Sequence, residues 1–177
     1  MVKKGFSLLE FVVVLLLIGI LTIIGIHNYI ALKERAKEVQ VKANMHALQL
    51  VIEDFYLRCG DRYPGNLATT LIEANPSYQG PEPNTCVAAA GKPPYGANSI
   101  LDNLVENPIS QDRIALKDGI PNGSDHPGVI GYQASNTPGD NPSSGVPWNE
   151  APSGPAMKYR IVGKGVNGII LVISSGD

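Results

Sequence analysis

Lys3-Lys4-Gly5-Phe6-Ser7-Leu8-Leu9-Glu10 opens a run that stays apolar as far as Ile26, interrupted by Ser7, Glu10, Thr22 and the glycines Gly19 and Gly25. At helical rise, about 21 such residues reach about 31 Å, the thickness of a bilayer's hydrocarbon core. Lys3 and Lys4 precede the run, so the positive-inside rule leaves the N-terminus in the cytoplasm and the rest outside. A secretory signal peptide has a shorter apolar region, about 7–15 residues, closed by a small-residue cleavage site. Here the pattern continues as His27-Asn28-Tyr29-Ile30-Ala31-Leu32-Lys33, with no A-x-A site. An ordinary transmembrane anchor fits the length and the charge.

Neither a signal peptide nor a plain anchor accounts for Glu10. A carboxylate at the centre of an apolar span costs about 2.5–3.5 kcal/mol on insertion scales, and less near an end. Such a group calls for a partner, and the span holds no Lys, Arg or His. A cut just before Phe6 would create the missing cation, an α-amino group one helical turn from Glu10. Within one helix that amine reaches its own Glu10. Between staggered helices it reaches a neighbour's, and a costly charge becomes an assembly contact.

These residues resemble the N-terminal signature of type IV pilins and type II secretion pseudopilins, and the match runs from Lys3 to about Tyr29. The resemblance implies that a prepilin peptidase cuts between Gly5 and Phe6, that Phe6 becomes N-methylated, and that Glu10 pairs with the N-terminus of an adjacent subunit. It further implies self-association into a helical filament and a partner assembly platform in the inner membrane. The precursor would be a single-pass protein of the bacterial inner membrane, and the assembled filament periplasmic or on the cell surface. There is one departure. Many family members carry a proline after the isoleucine that matches Ile26, and here that residue is His27.

Beyond the span, the helical pattern continues to about Leu57. Apolar Ala36, Val39, Ala43, Ala47, Leu50 and Val51 recur every three or four residues, and Met45, Leu48, Ile52 and Phe55 widen the stripe. Charged Lys33, Glu34, Lys37, Glu38 and Lys42 interleave as a solvated face. Gly60 and Pro64 mark the helix end. The expected organisation is a leader over residues 1–5, a spine helix over 6–57 with its transmembrane segment over 6–26, and a loop-rich head over 58–177. In the head, short helices are expected over 67–74 and from Ser99, which caps it with Asp102 three residues on, to before Pro108. Strands are expected over 113–117, 129–134, 158–162 and 169–173, the last two joined by a Gly-rich turn. Long loops cover 75–96 and 136–155, the second around Trp148. The fold class is α+β, a long N-terminal helix packed against a small antiparallel sheet, as in type IV pilins.

The bulk numbers narrow the function. The chain has 177 residues and a formal net charge of −2, with 17% charged residues. That near-neutral balance gives no sign of nucleic-acid binding. The two cysteines, Cys59 and Cys86, lie beyond the span on the non-cytoplasmic side, where a disulfide persists. A Cys59–Cys86 bridge is expected, against the alternative of two separately buried thiols. His27, His46 and His126 are scattered, and Ser144 and Ser153 lack a nucleophile-elbow pattern. Asp112, Asp118, Asp125 and Asp140 lie in loop-rich sequence and read as turn residues. Major pseudopilins hold calcium in a late loop, but no acidic loop of that kind is clearly reproduced, so no metal ligands are assigned and no cofactor is expected.

The reading is therefore a structural filament subunit and not an enzyme. The tail over 157–173 resembles a pseudopilin ending and tilts the reading toward a subunit of a secretion pseudopilus, whereas the cysteine pair points toward a pilus. The competing class is a membrane-anchored extracytoplasmic binding or enzymatic domain with an ordinary signal anchor, which Glu10 and the Gly5–Phe6 junction speak against.

Overall fold

Val41, Met45, Leu48, Ile52, Phe55 and Cys59 are all fully buried, and their alternating spacing of three and four places them on one face of a helix. That helix, α1, runs unbroken over Leu8–Cys59 in the computed structural model. The structure describes residues 7–91, 93–101, 105–110, 113–136 and 155–175. The chain divides into two units, Met1–Ala36 and Lys37–Asp177. In the first, the described residues are all exposed and helical from Leu8 onward. Gly25 and His27 are helical too, so the missing proline leaves no break.

The second unit holds the core. After α1 come β1 (Tyr63–Pro64), α2 (Leu71–Ala74), β2 (Leu116–Asp118), β3 (Ile130–Ser135), β4 (Pro155–Ala156), β5 (Lys158–Lys164) and β6 (Ile169–Ser174). The main sheet has the order β2-β3-β5-β6, and β1 and β4 form a separate antiparallel pair. β3, β5 and β6 are antiparallel neighbours. Buried Tyr132, Tyr159 and Ile161 join the helix stripe in one core. Gly163 of β5 lies under Met45: a Cβ there would collide with Met45 Sδ and sit 3.3 Å from Val41 Cγ1. The expected α+β arrangement of a long helix on a small antiparallel sheet is therefore what forms.

Local chemistry explains the element ends. Gly60 has φ +75°, and the Asp61 N–H donates to the Tyr56 carbonyl at 3.1 Å, a Schellman-type stop. Asn75 Nδ2 satisfies the Cys59 carbonyl at 2.9 Å. Thr70 and Glu73 form a reciprocal capping box at the start of α2, whose single turn is shorter than the expected 67–74. Asn66 instead ties residues 66–69 into a turn, accepting from the Ala68 N–H at 3.0 Å.

Several expectations need correction. The buried helix face is the Met45–Leu48–Ile52 row, while Val39 and Leu50 are 63% and 72% exposed. Ala36 and Ala43 are exposed with them. The bulky side chains fill the space above the sheet, and the row of alanines does not. Ser99 does not cap a helix: its hydroxyl donates to the Val87 carbonyl at 2.9 Å, and its backbone bridges Cys86. Val105–Ser110 is non-helical, and Asp102 lies outside the described residues. β2 runs parallel to β3, not antiparallel. β1 and β4, two residues each, had no signal in the sequence. The loop around Trp148 lies outside the described residues.

Candidate functional site

The feature that sets this chain apart is the exposed apolar half of α1. Leu8, Leu9, Phe11, Leu16, Leu21 and Ile23 all project into open space, as do the large apolar residues between them. The helix is long and apolar enough to cross a membrane, and none of its apolar window is buried. Its polar groups behave differently from one another. Thr22 Oγ1 donates to the Ile18 carbonyl at 2.7 Å, so its hydroxyl is satisfied within the helix. Glu10, in the first turn, has no hydrogen-bond or ion-pair partner among the described residues. A Cβ on Gly19 or Gly25 would meet nothing within 4 Å, so packing inside the chain demands neither glycine. Gly5 and Phe6, the expected processing and methylation positions, lie outside the described residues.

The expected Cys59–Cys86 bridge is not found: both cysteines are free thiols. Cys59 is fully buried at the end of α1, where its thiol donates to the Leu71 carbonyl at 3.7 Å. Cys86 is half-buried and held by backbone bridges to Thr70 and Ser99. The Cys59 thiol and the Cys86 backbone thus both meet the Thr70–Leu71 segment, whose Leu71 N–H donates to the Thr85 carbonyl at 3.0 Å. Burial pushes both thiol pKa values up; the Arg62 charge partly opposes this at Cys59. They remain protonated at neutral pH, inert in the sense of nucleophilic chemistry.

A second cluster was not legible in the sequence. The rings of Tyr56, Tyr63, Tyr159 and Tyr132 follow one another with centroid separations of 4.4, 4.8 and 6.1 Å. Glu53 on α1 accepts from Tyr63 Oη at 3.3 Å and from Tyr159 Oη at 2.6 Å. Tyr132, fully enclosed, donates to the Pro64 carbonyl at 2.5 Å. Each of these hydroxyls is engaged with the protein itself, so the cluster joins α1, β1, β3 and β5. Tyr132 and Tyr159 fall within the expected strands over 129–134 and 158–162, but nothing in the sequence pairs them with Tyr63 or Glu53.

The loop over 119–128 forms a third polar site. Lys164 Nζ donates to the carbonyls of Asn122 at 2.5 Å, Gly123 at 3.3 Å and Asp125. Asp125 Oδ2 accepts from the Asn122 N–H at 2.7 Å and from Lys117 Nζ at 2.8 Å. Burial pushes the Asp125 carboxyl up, but these hydrogen bonds and the charges of Lys117 and Lys164 outweigh it and hold it below the ordinary range. Asp118 Oδ1 accepts from the Leu67 N–H at 2.9 Å. Among the described residues no group of three His, Cys, Asp or Glu could hold a metal; Asp112 and Asp140 lie outside them. His27, His46 and His126 are exposed, and His46 Nδ1 lies 3.3 Å from Gln49 Oε1. Ser144 and Ser153 lie outside the described residues.

Comparison with known proteins points the same way as the apolar helix. No family model matches the chain, and no solved structure matches it. It is similar to the type IV major pilin protein PilA of Myxococcus xanthus (strain DK1622), with 38% identity over 61 residues. Those residues are 34% of this chain, and the chain spans only 27% of the relative's length. The chain thus shares a pilin-like stretch with a major pilin, within an α+β fold whose long N-terminal helix carries an exposed apolar half.

Proposed function

We propose that this chain is a structural, non-catalytic subunit of a type IV pilus filament. The observation that carries the reading is an exposed apolar helix in which Thr22 is internally satisfied and Glu10 has no partner among the described residues. Such a helix is suited first to a bilayer and then to a bundle of like helices. A prepilin peptidase would cut between Gly5 and Phe6 and N-methylate Phe6. The new amine would then pair with Glu10 of a neighbouring subunit as an inner-membrane platform moves each chain into the filament. The precursor would lie in the inner membrane with its N-terminus in the cytoplasm and its head outside. The similarity to a major pilin favours a pilus. The β5–β6 hairpin at the tail is what supports the alternative filament, a secretion pseudopilus.

The test is Glu10→Ala beside Glu10→Gln, with the subunit quantified in membrane and sheared-filament fractions. Membrane insertion is expected to persist, because a charge has left the apolar span. Assembly is expected to fail in both, since breaking a buried ion pair costs about 3–5 kcal/mol per contact. Wild-type filament levels of both variants would remove Glu10 from the mechanism. N-terminal sequencing of the membrane form checks processing, and a retained leader in a host with active peptidase would favour a simple anchor.

A further inference from the structure

The sequence holds two Asn-Gly pairs, Asn122-Gly123 and Asn167-Gly168, and one Asp-Gly pair, Asp118-Gly119. Such pairs share a latent reaction, because a glycine has no Cβ to keep its backbone nitrogen away from the side-chain carbonyl before it. Asparagine is thermolabile for this reason. The fold treats the three pairs differently.

Two of them are held. The Gly119 N–H donates to the Tyr132 carbonyl at 2.7 Å, and Asp118 Oδ1 accepts from the Leu67 N–H at 2.9 Å. Asn122 Oδ1 accepts from the Ser124 N–H at 3.0 Å and from the Ser124 hydroxyl at 2.6 Å, which fixes its side chain over the following residues. The Asn122 N–H donates to Asp125 Oδ2 at 2.7 Å, and the Asn122 carbonyl accepts from Lys164 Nζ at 2.5 Å. Rotating Asn122 Cγ onto the Gly123 nitrogen would break these contacts together.

The third pair is free to move. Asn167 is exposed in the four-residue turn between the paired residues Lys164 and Ile169. Among the described residues, neither the Asn167 side chain nor the Gly168 N–H has a hydrogen-bond partner. A Cβ on Gly168 would meet nothing within 4 Å, so open space surrounds the nitrogen that must approach.

We propose that Asn167 is a site of spontaneous deamidation and that the fold protects Asn122 from the same reaction. The Gly168 nitrogen loses its proton to hydroxide and attacks Asn167 Cγ. A bond forms between that nitrogen and Cγ, the Cγ–Nδ2 bond breaks, and Nδ2 leaves as ammonia with a proton from water. Water then opens the resulting succinimide. Opening at Cγ gives aspartate, and opening at the main-chain carbonyl carbon gives isoaspartate. Water is the co-reactant throughout, and nothing is oxidised or reduced.

Either product adds one negative charge to a chain of net charge −2. Isoaspartate also lengthens the main chain by one carbon between positions 167 and 168. That carbon falls inside the turn closed by the Gly165 N–H, which donates to the Gly168 carbonyl at 2.6 Å. The same turn meets α1, since a Cβ on Gly165 would lie 2.9 Å from Glu38 Oε1. Isoaspartate therefore loosens the end of the β5–β6 hairpin, in a turn that already meets one carboxylate. The site lies in the head and does not depend on the filament reading.

The experiment incubates the full chain in detergent at mildly alkaline pH. Peptide mass mapping follows each asparagine, with fragmentation that distinguishes isoaspartate from aspartate. Asn167 is expected to convert at least several-fold faster than Asn122. In urea the two should convert at equal rates, because both precede glycine and the fold no longer holds Asn122. Asn167→Gln should remove the charge shift seen by isoelectric focusing. Amide exchange around the Lys164–Ile169 pair should be several-fold faster in the isolated isoaspartyl form than in the native chain. Asn167→Asp, which has the charge without the extra carbon, should exchange like the native chain. Asn122 converting as fast as Asn167 in the folded chain, a rate ratio unchanged by urea, or an isoaspartyl form that exchanges like the native chain would each overturn the proposal.

Discussion

Tyr159 donates its hydroxyl to Glu53 Oε1 across 2.6 Å, joining β5 to α1. A hydrogen bond to a charged acceptor contributes about 1.5–3 kcal/mol, and the half-buried setting of Glu53 argues for the lower end. Tyr159→Phe should therefore destabilise the head by about 1–2 kcal/mol while leaving its fold intact. Glu53→Gln should cost less, because one amide oxygen still accepts. Urea denaturation of the variants checks this, and a Tyr159→Phe midpoint equal to that of the native chain would contradict it.

Burial, reinforced by the Glu53 charge, pushes the Tyr63 hydroxyl up to about 12. Burial likewise raises Tyr95, Tyr132 and Tyr159 well above the ordinary tyrosine value. An acid whose folded pKa exceeds its unfolded one contributes stability that is complete below the unfolded pKa, about 10. That contribution is lost as pH rises through the folded value. The head should therefore hold its stability up to pH about 10 and unfold as pH climbs toward about 12 and beyond. Tyrosinate absorbance and circular dichroism should change together. Ionisation of these tyrosines near pH 10 with the fold retained would refute it.

Gly131 sits in β3 opposite Lys117, beneath the turn that leaves β2. A Cβ there would be driven into the Gly119 carbonyl oxygen and lie 2.5 Å from Pro121 Cδ. Backbone and a proline ring cannot rotate aside as a flexible side chain does. Gly131→Ala should cost the upper end of the about 1–3 kcal/mol typical of overpacking. Gly91→Ala is a poor control because its φ is +140°. Gly123→Ala, with open space around it, should be close to neutral. Thermal unfolding of the two alanine variants distinguishes them.

Lys164 holds the 119–128 loop by donating to three backbone carbonyls, those of Asn122, Gly123 and Asp125. Lys164→Met keeps the length and removes the donors. Amide exchange at Asn122 and Gly128 should accelerate, while exchange in the middle of β5 stays slow. Unchanged exchange in the loop would show that Lys117 and Asp125 suffice to hold it.

How much was legible in advance depends on the range of the interactions. The apolar span, the stop at Gly60 and the four main strands follow from periodicity and caps, which act over a few residues. Glu10 was conspicuous because a carboxylate in an apolar run has few explanations. The Tyr63–Glu53–Tyr159 clasp was not visible, because Glu53 and Tyr159 are separated by 106 positions and meet only when β5 packs on α1.

By itself the sequence determined a membrane-length helix with one carboxylate in its apolar run, its continuation beyond the span, and an α+β head with a terminal hairpin. Only the tertiary structure decided which row of α1 is buried. Two apolar rows run along that helix, and helical periodicity allows either to face inward. Met45, Leu48 and Ile52 prevail because their volume fills the space over Gly163 and the tyrosines. Tertiary contacts also turned β2 parallel, gave the Cys59 thiol the Leu71 carbonyl and the Cys86 backbone Thr70 and Ser99 as partners, and closed the outer side of β2 with Gly91. Each of those outcomes depends on which distant segments occupy the same space, and spacing along the chain does not encode that.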